Sequence, residues 1–256
     1  MQATFTFLGT GTSCGVPQLG CRCAVCTSSN PRDRRYRTSA LLETSSGTCL
    51  LFDCGPDFRS QMLDRPFHPL QGVLITHIHY DHTGGLDDLR PYARGDLPLY
   101  AGPICSSMLR QSHSYFFAQR KYPGVPNLSL HVVEPYVPFR VGDLDVLPIK
   151  VNHGKLPILG YRIGRLAYLT DVSSIPTEGL EQLQGVKTLV LNALRQKPHP
   201  SHQTLEEALS TIAAIKPEAA WLVHMSHEIG LHEVVNAALP PGVYLAYDGL
   251  EIKINL

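Results

Sequence analysis

The chain has 256 residues, 43% of them apolar, which is enough for one large core in a single domain over residues 1–256. Its 22 Lys and Arg residues balance its 22 Asp and Glu residues, so the composition does not predict the basic surface of a nucleic-acid-binding protein. No apolar run approaches the roughly 18 residues of a membrane-spanning helix, so we expect no membrane partner.

The first ten residues, MQATFTFLGT, alternate apolar and polar side chains and predict a strand over 4–8. They lack a basic stretch followed by an apolar one, so they are not typical of a signal peptide, and a cytoplasmic location is the default expectation. Short β-branched or apolar runs between turn residues predict further strands. These strands are 48–54, 72–76, 143–151, 166–170, 188–194, 219–224 and 242–247.

Two segments have the spacing of amphipathic helices. In 205–215, apolar residues recur at helical intervals, and Thr204 with Glu207 forms a capping-box pattern before them. The second helix is predicted over 228–239, where two prolines end it. Because strands occur both in neighbouring pairs and with helices between them, we expect a layered, mixed α/β fold.

Residues 103–127 are predicted to form an insertion that could act as a lid. The later part, 111–127, is aromatic and basic and contains Pro and Gly, which is typical of a surface segment. A lid role for this insertion is an expectation from composition alone.

The segment LITHIHYDHTGGL places three histidines and an aspartate within six positions after an apolar run. If the chain is extended there, His77 and His79 point to one side and can share a metal ion. Asp81 and His82 follow at the turn into a helix and can face a second ion. Imidazole and carboxylate ligands suit zinc, manganese or iron, so the residue types leave the metal open.

Four ligands do not complete two metal sites, so other segments must contribute. His153, Asp171 and His224 each stand where an apolar strand run meets a loop. Strand ends that meet at one edge of packed sheets are a common place for an active site, and these three residues are the best candidates. We therefore expect them to lie beside residues 77–82 in the folded protein.

Three cysteines, Cys21, Cys23 and Cys26, lie within a loop predicted over 14–30. In a reducing compartment such a cluster favours a structural zinc ion over disulfides. His227, three residues after His224, is the best candidate for the fourth ligand. Such a site would clip the loop after the first strand to the loop that carries His224.

The HxHxDH pattern with a later His, Asp and His resembles the metallo-β-lactamase superfamily of dinuclear hydrolases. The resemblance implies a four-layer αββα sandwich, two mixed β-sheets flanked by helices, with the metals at one edge of the sheets. It implies one metal on His77, His79 and His153, and a second on Asp81, His82 and His224, with Asp171 as the bridge. It also implies that Asp53 orients the ligand loop without binding metal.

The cysteine cluster narrows this resemblance. Together with GTGTSCGVPQLG, NHGKL, LTDVS, HMSH and YDGLEI, it resembles the PhnP-like phosphodiesterases that cleave cyclic phosphates. PqqB-like biosynthesis proteins also carry a cysteine loop, but that branch departs from the full HxHxDH set, whereas this chain keeps it. The retained ligand set favours hydrolysis. The resemblance implies small phosphodiesters, cyclic ones among them, as substrates and a metal-bridging hydroxide as the nucleophile.

The resemblance implies a general acid at His202, while Asp81 accepts a hydrogen bond from the nucleophile. His199 is expected to be an ordinary loop histidine, and Arg195 and Lys197 either bind phosphate or face solvent. The implied cofactors are two divalent ions, zinc, manganese or iron, and one structural zinc.

Three other functions share parts of this pattern. A lactonase or thioesterase would use the same metals on a carbonyl group, but the cysteine loop is not typical of those branches. A tRNase Z-like nuclease has the same ligands, but usually needs a basic arm that this chain lacks. A non-catalytic or PqqB-like protein predicts a broken ligand set, and none is broken here. The expected partner is therefore a small phosphodiester, with nucleic acid less favoured and a homodimer possible.

Overall fold

The computed structural model describes residues 1–256 and contains two seven-stranded sheets. The strands are β1 Gln2–Gly9, β2 Ser39–Thr44, β3 Cys49–Phe52, β4 Gly72–Ile75, β5 Leu97–Ala101, β6 Leu128–Val132, β7 Phe139–Val141, β8 Leu144–His153, β9 Leu156–Ile163, β10 Leu166–Leu169, β11 Thr188–Asn192, β12 Ala219–Val223, β13 Val243–Leu245 and β14 Glu251–Asn255. The first sheet has the order β14-β1-β2-β3-β4-β5-β6 and the second β13-β12-β11-β10-β9-β8-β7.

Six α-helices accompany the sheets. They are α1 Phe58–Met62, α2 Tyr80–Thr83, α3 Pro103–Ser112, α4 Thr177–Gln182, α5 Leu205–Ile215 and α6 His232–Ala238. None of the helices is long and apolar enough to cross a bilayer.

The core is divided among three apolar layers, as four-layer packing requires. One cluster, which includes Phe5, Phe52 and Tyr168, fills the space between the two sheets. A second covers the outer face of the first sheet with side chains of α1 and α3, and a third covers the second sheet with α4 and α5. Every residue of β3 and β4 is buried, because sheet lies on one face and helix on the other. The predicted αββα sandwich is therefore confirmed.

Helix α5 has the bounds that the sequence predicts. The Glu207 amide donates to Thr204 Oγ1 over 3.2 Å, and the Thr204 amide donates to Glu207 Oε2 over 2.7 Å, which completes the capping box. The helix ends at Ile215, and the next residue, Lys216, has a left-handed backbone that caps it.

The prediction of a helix over 228–239 is wrong for the first part of this range. A 3-10 turn occupies His227–Ile229, and the α-helix begins only at His232. Gly230 separates the two with a φ of 110°, a conformation that breaks a helix and that glycine adopts without strain.

Part of the insertion predicted over 103–127 belongs to the hydrophobic core. Its first half forms α3, and Cys105, Leu109 and Phe116 are buried against the first sheet. Their burial ties this half to the domain, so a lid role can concern only the residues that follow.

Candidate metal centre

The carboxyl ends of several strands lie at one edge of the sandwich and carry the candidate ligands. Strands β3, β4 and β5 run parallel, and so do β10, β11 and β12. Strand β8 has the direction of β10, because both pair antiparallel with β9. The residues that follow these strands meet at the same edge of the sandwich. His77 and His224 are among them, although 147 positions separate the two in the chain.

Three histidines form the first cluster, which we call site one. His77 and His79 follow β4, and His153 ends β8. One ring nitrogen from each lies within 4.8 Å of the others, and His77 Nε2 is 2.9 Å from His79 Nδ1. The structure therefore brings the three predicted side chains to one point.

Four residues form the second cluster, site two, and all are buried. Asp81 and His82 lie in α2, Asp171 follows β10, and His224 follows β12. Asp81 Oδ2 is 3.3 Å from His82 Nε2 and 3.4 Å from His224 Nε2. Asp171 therefore stands among residues predicted for the second ion.

The Asp171 carboxylate lies between the two clusters. Its oxygens are 3.1 Å from His224 Nε2 and 3.3 Å from His82 Nε2 in site two. They are also 3.9 Å from His77 Nε2 in site one. A carboxylate in this position can reach both clusters, and its role as the bridging ligand that the resemblance implies stays a prediction.

Asp53 supports the clusters from behind. It is fully buried after β3, accepts from the Thr76 amide over 2.8 Å, and pairs with His82 Nδ1 over 2.7 Å. These contacts leave His82 Nε2 directed at site two. Asp53 therefore holds the His82 ring and the end of β4 in place, and contacts of this kind are typical of a residue that positions ligands.

Three of these residues have left-handed backbones, which is uncommon outside glycine. The φ angles are 56° for Asp53, 60° for Asp171 and 56° for His224. Asp and His tolerate this region better than most residues, at a cost of order 1–3 kcal/mol each. The surrounding packing therefore holds strained backbone at the ends of β3, β10 and β12 to aim these side chains.

Burial favours the neutral form of His77 and His79, since it lowers the pKa of both. A neutral imidazole has the free lone pair that a metal ligand needs. In site two, burial alone would lower the pKa of His82, but Asp171, Asp81 and Asp53 raise it well above its usual range. Site two therefore attracts positive charge.

The two clusters fit a pair of divalent metal ions. His82 Nε2 is buried and makes no hydrogen bond, although it lies 3.3 Å from an oxygen of Asp81 and of Asp171. A buried polar atom without a partner is costly, and a cation among these nitrogens and oxygens would satisfy it. Imidazole and carboxylate are ligands that suit such ions.

A separate cluster joins Cys21, Cys23 and Cys26 to His227, as predicted. The four ligand atoms lie within 4.8 Å of one another, and His227 Nδ1 is 3.2 Å from Cys23 Sγ and 3.5 Å from Cys21 Sγ. Ligand atoms around tetrahedral zinc are typically about 3.5 Å apart. All seven cysteines are free, so no disulfide competes for these thiols.

The thiols of this cluster differ in acidity. The Cys26 amide and His227 lower the pKa of Cys23 to about 6, whereas burial raises that of Cys26 to about 11. The thiolate is the form that binds metal. The lowered pKa therefore favours the thiolate form of Cys23 at neutral pH, which is the form that can bind zinc.

The segment between β1 and the cysteine loop is hydrogen-bonded to the loop that carries His224. The Thr12 amide donates to the Met225 carbonyl over 3.0 Å, and the Met225 amide donates to the Thr10 carbonyl over 2.9 Å. His227 follows two residues later. The cysteine cluster therefore links two loops, because its three thiols follow β1 and its histidine follows His224.

His202 lies beside the two ligand clusters, whereas His199 and Arg195 have other contacts. His202 Nε2 is 3.1 Å from Asp171 Oδ1, and its ring stacks on that of His224. His199 lies against His202, with 3.1 Å between the two Nδ1 atoms, and accepts a hydrogen bond from the Ser201 amide over 3.3 Å. Arg195 pairs with Glu228 over 2.7 Å, which accounts for its charge without a phosphate.

Sequence reasoning missed several residues that shape the site. Thr76 donates its hydroxyl to Asp53 over 3.0 Å and contacts His77 Nδ1 over 3.0 Å. The Ser201 carbonyl lies 2.8 Å from His153 Nδ1, so the loop before α5 orients a site-one ring. The position of Thr76 next to His77 was a sequence signal that it could orient this ligand. No local pattern indicates that the Ser201 carbonyl contacts His153.

The comparisons with known proteins agree with this geometry. The family model of the β-lactamase superfamily domain matches residues 48–225, more than half of the chain. A crystal structure of a diphosphatase from the PhnP family is 40% identical, covers 99% of this chain and 98% of its own, and superposes with a TM-score of 0.92.

More distant structures share the fold. Zinc-bound PqqB from Methylobacterium extorquens is 20% identical over 97% of this chain and 99% of its own, with a TM-score of 0.80. The short form of human tRNase Z is 19% identical over 99% of this chain and 100% of its own, with a TM-score of 0.71.

One curated relative is similar along nearly the whole chain. An octanoyltransferase from Porphyromonas gingivalis is 46% identical over 250 residues, which is 97% of this chain but 51% of that protein. The chain thus spans about half the length of this relative. Both the family model and the clustered histidines and aspartates lead to one assignment. The chain belongs to the β-lactamase superfamily and has the metallo-β-lactamase fold of the PhnP-like hydrolases.

Proposed function

We propose that the protein is a metal-dependent hydrolase of small phosphodiesters, including cyclic ones. The observation that carries this proposal is the convergence of all seven predicted ligands, from His77 to His224, on two adjoining clusters. The similarity to a PhnP-family diphosphatase along the whole chain supports phosphorus as the atom attacked.

Two divalent ions, when bound, would supply a water that is nucleophilic at neutral pH and would neutralise charge on the phosphoryl oxygens. The residues of site one and site two would hold them, with Asp171 between, and zinc, manganese and iron are all compatible. Asp53 and Thr76 keep the ligand rings of His82 and His77 in position. Asp81 is also placed to accept a hydrogen bond from the attacking water.

A phosphoric anhydride is the second candidate substrate, because the similar crystal structure is that of a diphosphatase. Nuclease activity is less favoured, since net charge is zero and the likeness to tRNase Z concerns the fold alone. Octanoyl transfer is less favoured as well, because this chain matches only about half of that relative. The proposed partner is therefore a small anion, with nucleic acid possible but less favoured.

A substrate panel tests the proposed function. The metal-loaded protein is expected to hydrolyse bis(p-nitrophenyl) phosphate and 2′,3′-cyclic nucleotides at least tenfold faster than a lactone, an octanoyl thioester or a structured RNA. Release of p-nitrophenol and chromatography of the nucleotides give the rates. A fully metal-loaded protein that is inert on every phosphodiester and on a diphosphate diester would contradict the proposal.

We also propose that His202 is the general acid that protonates the leaving group. Its ring lies at the edge of site two, 3.1 Å from Asp171 Oδ1 and stacked on His224. Burial lowers its pKa to about 4, although the hydrogen bond to Asp171 opposes this shift. The acid role therefore requires the negative charge of a bound phosphodiester to raise the pKa.

The variant His202→Ala tests this role. Metal content is expected to stay at the wild-type value, because Asp171 keeps its other contacts. Turnover should fall about 10²–10⁴-fold for an alkyl leaving group and far less for p-nitrophenolate, which leaves without a proton. His199→Ala, which removes the neighbouring imidazole, should leave both rates within about twofold. Loss of metal in His202→Ala would instead identify this residue as a ligand, and equal losses for both leaving groups would exclude the acid role.

A further inference from the structure

A cavity of about 210 Å³ adjoins site one at His77. One wall is formed by residues 76–78, which include His77. A second is formed by residues 156–159, the strand that returns from the turn after His153. The third is the start of α3, residues 102–105. Two of the three walls are therefore segments that also place site-one ligands.

The lining of this cavity is mostly apolar. Side chains that contribute to it include Ile78, Ile104, Leu156, Ile158 and Leu159. Cys105 is neutral at physiological pH, because burial raises the pKa of its thiol to about 12. Glu134 and Lys150 are exposed and have opposite charges, so the cavity has no net attraction for an anion.

The size of the cavity matches a single ring. Engineered apolar cavities of about 150 Å³ in other proteins bind benzene. An apolar space beside the two ligand clusters is unsuitable for the phosphate itself, which the metal ions would hold. It is suitable for a group attached to the phosphate.

The lining also indicates which ester group enters. None of residues 195–204, the segment that carries His202, contributes to the cavity. If His202 protonates the leaving group, that group lies on the side of Asp171 and His224. The cavity then lies on the side of the other ester, which stays on phosphorus.

We propose that this cavity is a specificity subsite that binds an uncharged, ring-sized apolar ester group retained on the phosphoryl product. The proposal rests on the proposed function, since it assumes a phosphodiester held at the metal clusters. Ile104 is the residue best placed to control entry. It lies in the first turn of α3, lines the cavity and is 46% exposed.

The test replaces Ile104 with Trp in the metal-loaded protein, so that the indole fills the cavity. Two substrates share the p-nitrophenolate leaving group and differ in the retained ester: bis(p-nitrophenyl) phosphate and methyl p-nitrophenyl phosphate. The variant is expected to lower kcat/KM for the aryl ester by roughly 10–100-fold, the effect of burying one apolar side chain. The methyl ester should change less than about twofold.

Met108→Trp is the matched control. Met108 lies one turn further along the same helix, is 42% exposed and does not line the cavity. It should change neither rate. Metal content and melting temperature of both variants establish that the fold and the metal clusters are intact.

A binding measurement separates this inference from the proposed function. Calorimetry should give a Kd for diphenyl phosphate at least tenfold below that for dimethyl phosphate, and Ile104→Trp should abolish the difference. If the wild-type protein hydrolyses no diester but binds diphenyl phosphate in this way, the proposed function fails and the subsite stands. If Ile104→Trp affects both p-nitrophenyl substrates equally, or neither, the subsite is refuted.

Discussion

Replacing Asp171 with Asn is expected to lower kcat/KM for a phosphodiester by about 10³-fold, the equivalent of about 4 kcal/mol in the barrier. The carboxylate lies 3.1–3.3 Å from His224 Nε2 and His82 Nε2, and 3.9 Å from His77 Nε2. An amide of the same shape has no net charge to place between two cations. The metal content of the active site should therefore fall as well, which elemental analysis measures.

The fold should survive this substitution, because Asn tolerates the left-handed backbone of Asp171 as well as Asp does. Asp145→Asn is the matched control, since Asp145 is an exposed aspartate in β8 of the same sheet. It should change neither metal content nor rate. An Asp171→Asn variant with full metal content and normal turnover would show that the two clusters do not share this ligand.

Replacing Cys23 with Ser is expected to remove one zinc ion per chain and to lower the melting temperature by roughly 6–12 °C. This shift corresponds to a loss of about 3 kcal/mol in the free energy of unfolding for a domain of this size. The physical reason is that binding of a structural metal is coupled to folding of the loop that holds it. Calorimetry and elemental analysis measure the two effects.

Activity should fall in Cys23→Ser too, because His227 lies three residues from His224 and the two loops share backbone hydrogen bonds at Met225. Cys14→Ser is the control, since Cys14 is exposed in the same loop but outside the cluster. It should retain the zinc, the melting temperature and the rate. Unchanged metal stoichiometry in Cys23→Ser would disprove a site made of three cysteines and His227.

Local patterns in the sequence predicted some elements well and missed others. Helix α5 was predicted to the residue, because its capping box and apolar spacing are both local signals. Eight strands were identified, but β2, β5, β6, β7, β9 and β14 were not. Strand β2, SALLET, is buried at five of its six positions, so it has no alternation to reveal it.

The candidate site shows the same division. The residue types and their positions after strand runs were sufficient to nominate His77, Asp81 and His224 as ligands. Hydrogen bonds such as that of Asp53 with His82 link residues 29 positions apart, and no local spacing encodes them. The environment of His199 and the pairing of Arg195 with Glu228 were equally inaccessible from sequence.

Side-chain type and hydrophobic period are properties of neighbouring residues, so the printed chain alone indicates which groups can bind a metal and that they stand at strand ends. The packing of the two sheets adds what no local pattern contains. It brings the ends of β4, β8, β10 and β12 to one edge, places Asp171 between the two clusters, and leaves a ring-sized cavity beside His77. The reason is that these distances depend on how two sheets pack, and packing sums contacts between residues that are far apart in the chain.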